Sequence, residues 1–217
     1  MGPRVLLHTE EGWLEGGEPL LEIGARDPVH VVEALERVER AVTKGYTAVG
    51  FVAYEAAGGL WDRFVTHEPA PGLPLVWFAL YDTLSPSLGP PPVNHGAPPI
   101  DGWEPSLDLE SYRERIAAIR ELIAAGETYQ VNFTLRLRAP WEAQDPLQLF
   151  ARLCEAQPSR YAAFLDTGRF ALCSGSPELF YRREGTSILC NPMKGTAPRG
   201  RYGAEGARNA EWLRTDE

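Results

Sequence analysis

The chain has 217 residues, of which 44% are hydrophobic, and these values are typical of one large globular domain or two small ones. Its formal net charge of −9 argues against non-specific nucleic-acid binding, and no apolar run reaches the length of a membrane-spanning helix. No signal peptide is recognisable, so we expect a cytoplasmic protein whose Cys154, Cys173 and Cys190 are reduced core residues and not metal ligands.

The first part of the chain is predicted to form strands and one helix. Asp27-Pro28 supplies an N-cap followed by proline, and Lys44-Gly45 supplies a cation and a glycine at the helix end. The apolar runs 46–54 and 75–81 predict strands that are covered on both faces. Shorter strands are predicted at residues 5–7, 13–15 and 20–23.

A proline-rich stretch separates this part from the rest of the chain. Between Ser85 and Pro105 lie seven prolines and three glycines, which predict a loop or linker. We therefore divide the chain into an N-terminal αβ region (1–84), the linker (85–105) and a C-terminal region (106–217). Each region has few strands, so both can contribute to one shared sheet system.

The C-terminal region begins with a predicted helix and an alternating strand. Ser106 or Asp108 caps the helix and Gly126 ends it. Residues 129–138 alternate between apolar and polar side chains, as a strand with two different faces does. The polar face either faces water or forms the wall of a polar site. The predicted buried stripe of the helix consists of Tyr112, Ile116, Ile119 and Ile123.

A second helix and more antiparallel strands follow. Asp145-Pro146 caps the helix, and a hairpin turns about residues 166–168. Its second strand leads directly into Ser174, so a meander of four antiparallel strands is expected. Taken together, the elements predict an α+β fold with mainly antiparallel sheets and flanking helices.

The stretch 174–200 is the strongest candidate for a functional site. It predicts two strands joined by a turn, followed by a Gly/Pro loop that presents Lys194. A turn centred on Glu184 and Gly185 would place Glu178 opposite Asn191, three residues before Lys194. The hairpin is therefore expected to bring a carboxylate and an amine to one end of a sheet, whereas a register slip of one residue would turn Glu178 away.

Lys194 also stands out because lysine is rare in this chain. Of the 21 Lys plus Arg residues, only Lys44 and Lys194 are lysines. Arginine cannot lose its proton in a protein, whereas a desolvated lysine can act as a nucleophile. The alternative is a solvated loop cation, and composition alone leaves both interpretations open.

Several segments resemble one known family. GETYQVN (126–132), SPELF (176–180) and PMKGTAPRG (192–200), supported by YEAA (54–57), resemble motifs of the chorismate-utilising enzymes. These include anthranilate synthase component I, aminodeoxychorismate synthase component I, and the isochorismate and salicylate synthases. The resemblance covers most of the chain and implies the N-terminal portion of the anthranilate synthase component I-like fold.

Within that family, lysine at position 194 is typical of aminodeoxychorismate synthase component I, while the anthranilate and isochorismate enzymes usually carry alanine. The resemblance implies that Lys194 attacks chorismate C2 while the C4 hydroxyl leaves, with Glu178 as general acid/base. Ammonia then adds at C4 and expels the lysine. The implied product is 4-amino-4-deoxychorismate, made for para-aminobenzoate and folate synthesis with ammonia from a partner glutamine amidotransferase.

The resemblance also implies a set of substrate-binding residues. Gly195 lets the backbone approach the substrate, and Thr196 supplies a short hydrogen-bond donor. Arg199 either holds a loop or faces a substrate carboxylate. The other residues expected to shape the pocket are Ser174, Tyr129, Gln130 and Asn132.

Two departures from the family pattern limit these expectations. Residues 20–23 resemble a segment that binds regulatory tryptophan in anthranilate synthases, but Ile23 replaces its serine, which favours a plain buried strand. Family members are also much longer, and the half that normally follows holds the glutamates that bind Mg²⁺. We therefore expect a fragment without a metal site that is inactive alone. The alternatives are an anthranilate synthase component I-like enzyme or a non-catalytic binding fragment.

Overall fold

The computed structural model describes residues 4–96, 100–141, 145–192 and 197–215. It has the predicted α+β architecture with antiparallel sheets and flanking helices, and none of the described helices is long and apolar enough to cross a membrane. The strands are β1 (Val5–Thr9), β2 (Gly12–Gly16), β3 (Leu21–Ala25), β4 (Thr47–Val52), β5 (Val76–Tyr81), β6 (Ser85–Ser87), β7 (Glu104–Pro105), β8 (Leu137–Arg138), β9 (Tyr161–Asp166), β10 (Ala171–Ser176), β11 (Leu179–Glu184) and β12 (Ser187–Asn191). The α-helices are α1 (Val31–Thr43), α2 (Ala57–Leu60), α3 (Leu109–Ala124), α4 (Pro146–Ala156) and α5 (Gly203–Thr215).

The larger sheet has five antiparallel strands in the order β10-β9-β1-β2-β6. β1 pairs with β9, which places Val5 opposite Leu165, and β9 pairs with β10 across the predicted turn. Strands from both sides of the proline-rich stretch therefore build one sheet. The stretch itself begins as β6, which pairs with β2. The division of the chain into regions stays a prediction.

The smaller sheet has the order β3-β5-β4, and its central strand explains the apolar run at 75–81. Val76 and Leu80 of β5 pack in one core with residues of α1. Trp77 and Ala79 pack in a second core with residues of the larger sheet. Because alternate side chains of β5 enter two different cores, neither face of the strand can be polar.

Helix α4 covers the outer face of the larger sheet. Its Phe150 is fully buried against residues of β1 and β9. The side chain of Asp145 caps the helix by accepting a hydrogen bond from the Leu147 amide at 2.9 Å, and Pro146 occupies the first helical position. The packed layers are therefore α1, the smaller sheet, the larger sheet and α4.

The buried stripe predicted for α3 is wrong. The helix has its predicted cap, since the Asp108 side chain accepts a hydrogen bond from the Ser111 amide at 2.8 Å. No residue of the helix is buried, and Tyr112 and Ile123 are each more than a third exposed. Tyr112 does contact Phe133, with 5.7 Å between the ring centroids. The apolar pattern is present, but the described residues supply no layer that covers it.

The long strand predicted over 129–138 is also wrong in its extent. β8 contains only Leu137 and Arg138, which pair with β7. In the described structure, residues 129–136 belong to no strand, and most of their side chains are exposed. Strand register is specified where one face is buried. Residues 129–136 alternate in sequence, but no described layer buries one of their faces, so this condition is not fulfilled.

These uncovered elements give the chain a large surface. Its accessible surface is 16154 Å², whereas a folded monomer of this mass exposes about 9,900 Å². The difference of about 6,000 Å² is larger than the total area buried by a standard protein–protein interface. Exposed large apolar side chains occur on α3, β11, β12 and α5 and in residues 129–137.

Candidate active site

The chain leaves the larger sheet at a corner formed by Ser176, Pro177 and Glu178. The Ser176 hydroxyl donates to the Glu178 carbonyl at 3.0 Å and accepts from the Glu178 amide at 3.4 Å. Pro177 has no amide proton with which to continue a strand ladder. The predicted four-stranded meander is therefore wrong, because β9 and β10 belong to the larger sheet while β11 and β12 form a separate hairpin.

The hairpin has a different register from the predicted one. Glu184 lies opposite Ser187, so its turn residues are Gly185 and Thr186 and not Glu184 and Gly185. Gly185 has a φ of 58° and takes the first turn position, where two-residue hairpin turns need a positive φ. Glycine adopts this conformation at less cost than glutamate, which explains why the turn is displaced by one residue.

An irregularity in β11 shifts the register again towards the open end of the hairpin. Leu179 lies opposite Asn191, and one extra residue of β11 lies between this pair and the regular pairs near the turn. The prediction that Glu178 lies opposite Asn191 is therefore wrong by one residue. Glu178 instead lies one position beyond that pair, at the same end of the hairpin as Pro192.

Glu178 lines a cleft at this open end. The cleft has a volume of about 460 Å³, and Glu178 is exposed in it. A small polar molecule can therefore reach its carboxylate, as proton transfer to or from a substrate requires. The other described residues that line the cleft are Leu179, Phe180, Cys190 and Pro192.

The predicted lysine loop lies outside the described residues. Lys194, Gly195 and Thr196 belong to the segment 193–196, between Pro192 and Ala197. Pro192, which lines the Glu178 cleft, is the last described residue before that segment. The catalytic and substrate-binding roles of these three residues stay predictions.

An ion pair that sequence reasoning missed fastens the hairpin to the larger sheet. Arg182 Nη1 donates to Glu10 Oε2 at 2.5 Å, and Arg182 Nε lies 3.2 Å from Glu184 Oε1. The hydrogen bond with Glu10, in the turn between β1 and β2, raises the pKa of Arg182. Glu10 and Arg182 are 172 residues apart, so no local sequence pattern identifies the pair.

Ser174 lies on β10, shortly before the corner, and is exposed. Its neighbours face α4, since Cys173 packs in the α4 core and a Cβ atom on Gly175 would contact Leu153. Because side chains alternate along a strand, Ser174 lies on the face away from α4. It does not line the Glu178 cleft, so its substrate-binding role stays a prediction.

Tyr129, Gln130 and Asn132 lie in the irregular segment before β8 and do not line the Glu178 cleft. Gln130 Nε2 donates to Asn132 Oδ1 at 3.3 Å, and the Thr128 hydroxyl donates to the Gln130 carbonyl at 3.1 Å. Tyr129 is largely exposed. The structure therefore does not bring the GETYQVN segment and Glu178 into one cleft.

Arg199 lies in the segment that leads into α5. The Asn209 side chain donates to the Pro198 carbonyl at 2.8 Å, which holds this segment against the helix. A Cβ atom on Gly200 would lie 2.1 Å from the Gly206 amide nitrogen, so the close approach requires glycine. Arg199 itself is exposed, and within the described part of the chain it has no hydrogen bond or ion pair.

The described residues contain no group of three or more His, Cys, Asp or Glu side chains that could hold a metal ion. Cys154 and Cys173 are partly buried in the α4 core. Burial, and secondarily the neighbouring Cys154, raises the pKa of Cys173 to about 11, so its thiol stays protonated at neutral pH. Cys190 is exposed on β12, so the prediction that it is a core residue is wrong.

Comparison with known proteins identifies the family. Residues 9–217 match the family model described as chorismate binding enzyme. The chain belongs to the chorismate-binding enzyme family. The match includes the corner at Glu178 and both strands of the following hairpin, together with most of the two packed sheets.

Relatives of this chorismate-binding chain carry two different names. Anthranilate synthase component 1 of Thermus thermophilus is 38% identical over 115 residues, which are 53% of this chain and 25% of that protein. Anthranilate synthase component 1 of Streptomyces coelicolor is 28% identical over 251 aligned positions, covering 93% of this chain and 48% of that protein. Aminodeoxychorismate synthase component 1 of Escherichia coli is 34% identical over 97 residues, which are 45% of this chain and 21% of that protein.

The chorismate-binding chain thus spans at most about half the length of these relatives. Its Ile23 is 3% exposed and packs against α1, so this position is buried as predicted, whereas Leu20 and Leu21 of the same segment are each more than half exposed.

Proposed function

We propose that this chorismate-binding chain belongs to an aminodeoxychorismate synthase component I, which converts chorismate and ammonia to 4-amino-4-deoxychorismate. The observation that carries the proposal is the open end of the hairpin. There, Glu178 and Pro192 line one cleft, and Pro192 leads into the segment that contains Lys194. Lys194 is two residues beyond Pro192 in sequence, and this closeness to a cleft that contains a carboxylate supports the proposal.

The proposed chemistry has two steps. The neutral amine of Lys194 forms a bond to chorismate C2, the ring double bonds shift, and the C4–O bond breaks while Glu178 donates a proton to the departing hydroxyl. Ammonia then forms the C4–N bond, the ring double bonds shift back, and the bond between C2 and Lys194 breaks, which returns the neutral amine. The new C4 ammonium group returns a proton to the Glu178 carboxylate. Lys194 must therefore lose its proton before it reacts, and desolvation favours this loss.

We further propose that additional polypeptide completes the active site. The uncovered surfaces of α3, residues 129–137 and the β11–β12 hairpin support this, as does the greater length of the relatives. The occupant proposed for these surfaces is the part of the family fold that this chain does not match. We refer to the chain together with that polypeptide as the complete protein.

The remaining components of the proposal come from the family resemblance. Ammonia is supplied by a glutamine amidotransferase subunit or domain, and the reaction takes place in the cytoplasm. Mg²⁺ is proposed as the cofactor of the complete protein. The described residues of this chain do not form a metal site, so the Mg²⁺ ligands are proposed to lie in the additional polypeptide.

Substitution of Lys194 tests the proposal. In the complete protein with saturating ammonium, Lys194→Ala and Lys194→Arg should each lower kcat for aminodeoxychorismate by at least about 10²-fold, because neither side chain is a nucleophile. Arg208→Ala, which removes an exposed cation from α5, serves as the control and should keep the unmutated rate. The idea is falsified if Lys194→Ala retains the unmutated rate.

A second candidate function is anthranilate synthesis, and it is favoured by the names of the Thermus and Streptomyces relatives. A third candidate is a non-catalytic fragment that only binds a partner, which the exposed apolar elements favour. Incubation of the 217-residue chain alone with chorismate, Mg²⁺ and ammonium should give no turnover. Measurable turnover would show that no further polypeptide is needed.

A further inference from the structure

A buried hydroxyl lies next to the end of β10, the strand that leads into the corner at Glu178. Ser159 is 7% exposed, and it is the only buried polar or charged residue in the described part of the chain. Burial of a hydroxyl is unfavourable unless the group is hydrogen-bonded. The Ser159 Oγ donates to the Gly175 carbonyl at 2.9 Å and to the Gln157 carbonyl at 3.1 Å, sharing one proton between them. The hydroxyl therefore links the segment before β9 to β10.

The contact lies where the pairing of β9 with β10 ends. The last pair of this ladder places Ser176 opposite Tyr161. If both strands continued in the same register, Ser159 would lie opposite Glu178. β10 instead ends at the corner, where Pro177 has no amide proton. Ser159 thus reaches back to β10 from beyond the end of the backbone ladder.

Gly175 is held from a second side by helix α4. A Cβ atom on Gly175 would lie 3.3 Å from the Leu153 side chain, so the helix packs closely on this part of β10. The Gly175 carbonyl forms the peptide bond with Ser176, whose hydroxyl makes both hydrogen bonds with the Glu178 backbone. The position of the Gly175 carbonyl therefore determines where the corner begins.

The main chain of Ser159 is fixed by a contact with β1. His8 Nδ1 lies 2.8 Å from the Ser159 carbonyl oxygen, and it is the donor because a carbonyl oxygen can only accept. The His8 ring stacks on Trp13 with 4.5 Å between the ring centroids. Trp13 in turn packs edge-on against the fully buried Phe150 of α4. Contacts from β1, β2 and α4 therefore hold Ser159 in place.

We propose that Ser159 is a positioning residue for Glu178. It acts through the Gly175 carbonyl and the corner that follows. The inference rests on the proposed function, in which Glu178 transfers a proton at the C4 oxygen of chorismate. Such a transfer needs heavy-atom distances of about 2.6–3.2 Å, so a displaced carboxylate transfers the proton poorly. Ser159 is not among the described residues that line the Glu178 cleft, so its loss should slow the chemical step without weakening substrate binding.

The test measures chorismate consumption by variants of the complete protein with saturating ammonium, a readout that does not depend on which product forms. Ser159→Ala should lower kcat by about tenfold and change KM by less than about twofold. Ser159→Thr keeps the hydroxyl and should retain kcat to within about threefold. The matched control is Ser87→Ala, which removes a hydroxyl that donates to Glu15 Oε2 at 2.6 Å on the opposite edge of the larger sheet. It should leave both constants unchanged.

Glu178→Gln separates this inference from the proposed function. Alone it should lower kcat by at least about 10²-fold. Ser159→Ala should then lower kcat by less than about twofold further, because the carboxylate that it positions is already gone. An unmutated rate in Glu178→Gln would refute the proposed function and this inference together. A low rate in Glu178→Gln with an unmutated rate in Ser159→Ala would refute the positioning role alone.

Three other results would also overturn the positioning role while leaving the proposed function intact. The first is a change in KM alone on replacement of Ser159 by alanine. The second is a kcat in Ser159→Thr or Ser87→Ala that is as low as in Ser159→Ala. The third is a full tenfold loss caused by Ser159→Ala in the Glu178→Gln background, since independent effects add.

Discussion

At the scale of single residues, the position of Glu178 depends on contacts that are not adjacent to it in sequence. Ser176 holds the corner through its hydroxyl, and Arg182 fixes β11 to Glu10 on the larger sheet. The hairpin itself has almost no buried side chain, so packing contributes little to its placement. The ion pair between Arg182 and Glu10 is therefore expected to have a larger effect on local order than on global stability.

Replacement of Arg182 tests this expectation. Arg182→Met should raise the hydrogen-exchange rates of β11 and β12 amides by about two- to fivefold, because the hairpin is released from Glu10. The matched control is Arg183→Met, since the only hydrogen bond of Arg183 within the described ranges runs from its Nε to the Gly185 carbonyl of its own turn at 2.9 Å. Equal exchange rates in the two variants would contradict a fastening role for Arg182.

At the scale of elements, the sequence predictions were correct where another layer of the fold covers the apolar side chains of the predicted helix or strand. The apolar run at 75–81 became β5 between two cores, and Asp145-Pro146 began α4 as expected. The stripe on α3 and the alternation at 129–138 are equally clear in sequence. The predictions drawn from these two patterns were wrong because burial, and not periodicity alone, stabilises such elements. The described residues provide no layer that covers α3 or residues 129–138.

The predicted register of the β11–β12 hairpin was wrong for a different reason. The sequence identifies the turn region, but the residue that must adopt a positive φ decides which pair closes the turn. Gly185 takes the first turn position, and the extra residue in β11 then shifts the pairing near Glu178. A bulge of this kind has no local signature in the residues of β11, so the position of Glu178 could be predicted only to within one residue.

The segment before α5 gives a prediction at this scale. Gly200→Ala places a Cβ atom against the backbone of Gly206, and overpacking of this kind costs about 1–3 kcal/mol. Protection of the α5 amides from hydrogen exchange should therefore fall by about tenfold. Gly203→Ala makes the same chemical change where nothing lies within 4 Å, and it should not lower protection. A comparable loss in both variants would exclude the steric explanation.

At the scale of the whole molecule, the chain combines a packed body with elements that lack a covering layer. The two sheets, α1 and α4 bury the core, while α3, the hairpin and α5 remain largely exposed. The Glu178 cleft is at the border of the exposed part, and the described residues that the family resemblance assigns to substrate binding do not converge there. This arrangement supports the proposal that further polypeptide gathers them into one site.

The most direct test of the proposed function is identification of the product that the complete protein makes from chorismate, Mg²⁺ and ¹⁵N-ammonium. Mass spectrometry and fluorescence distinguish the candidate products in one experiment. The proposal predicts 4-amino-4-deoxychorismate, with the ¹⁵N label at C4 and the enolpyruvyl group retained. Fluorescent anthranilate, with the label on C2 and the side chain released as pyruvate, would contradict it.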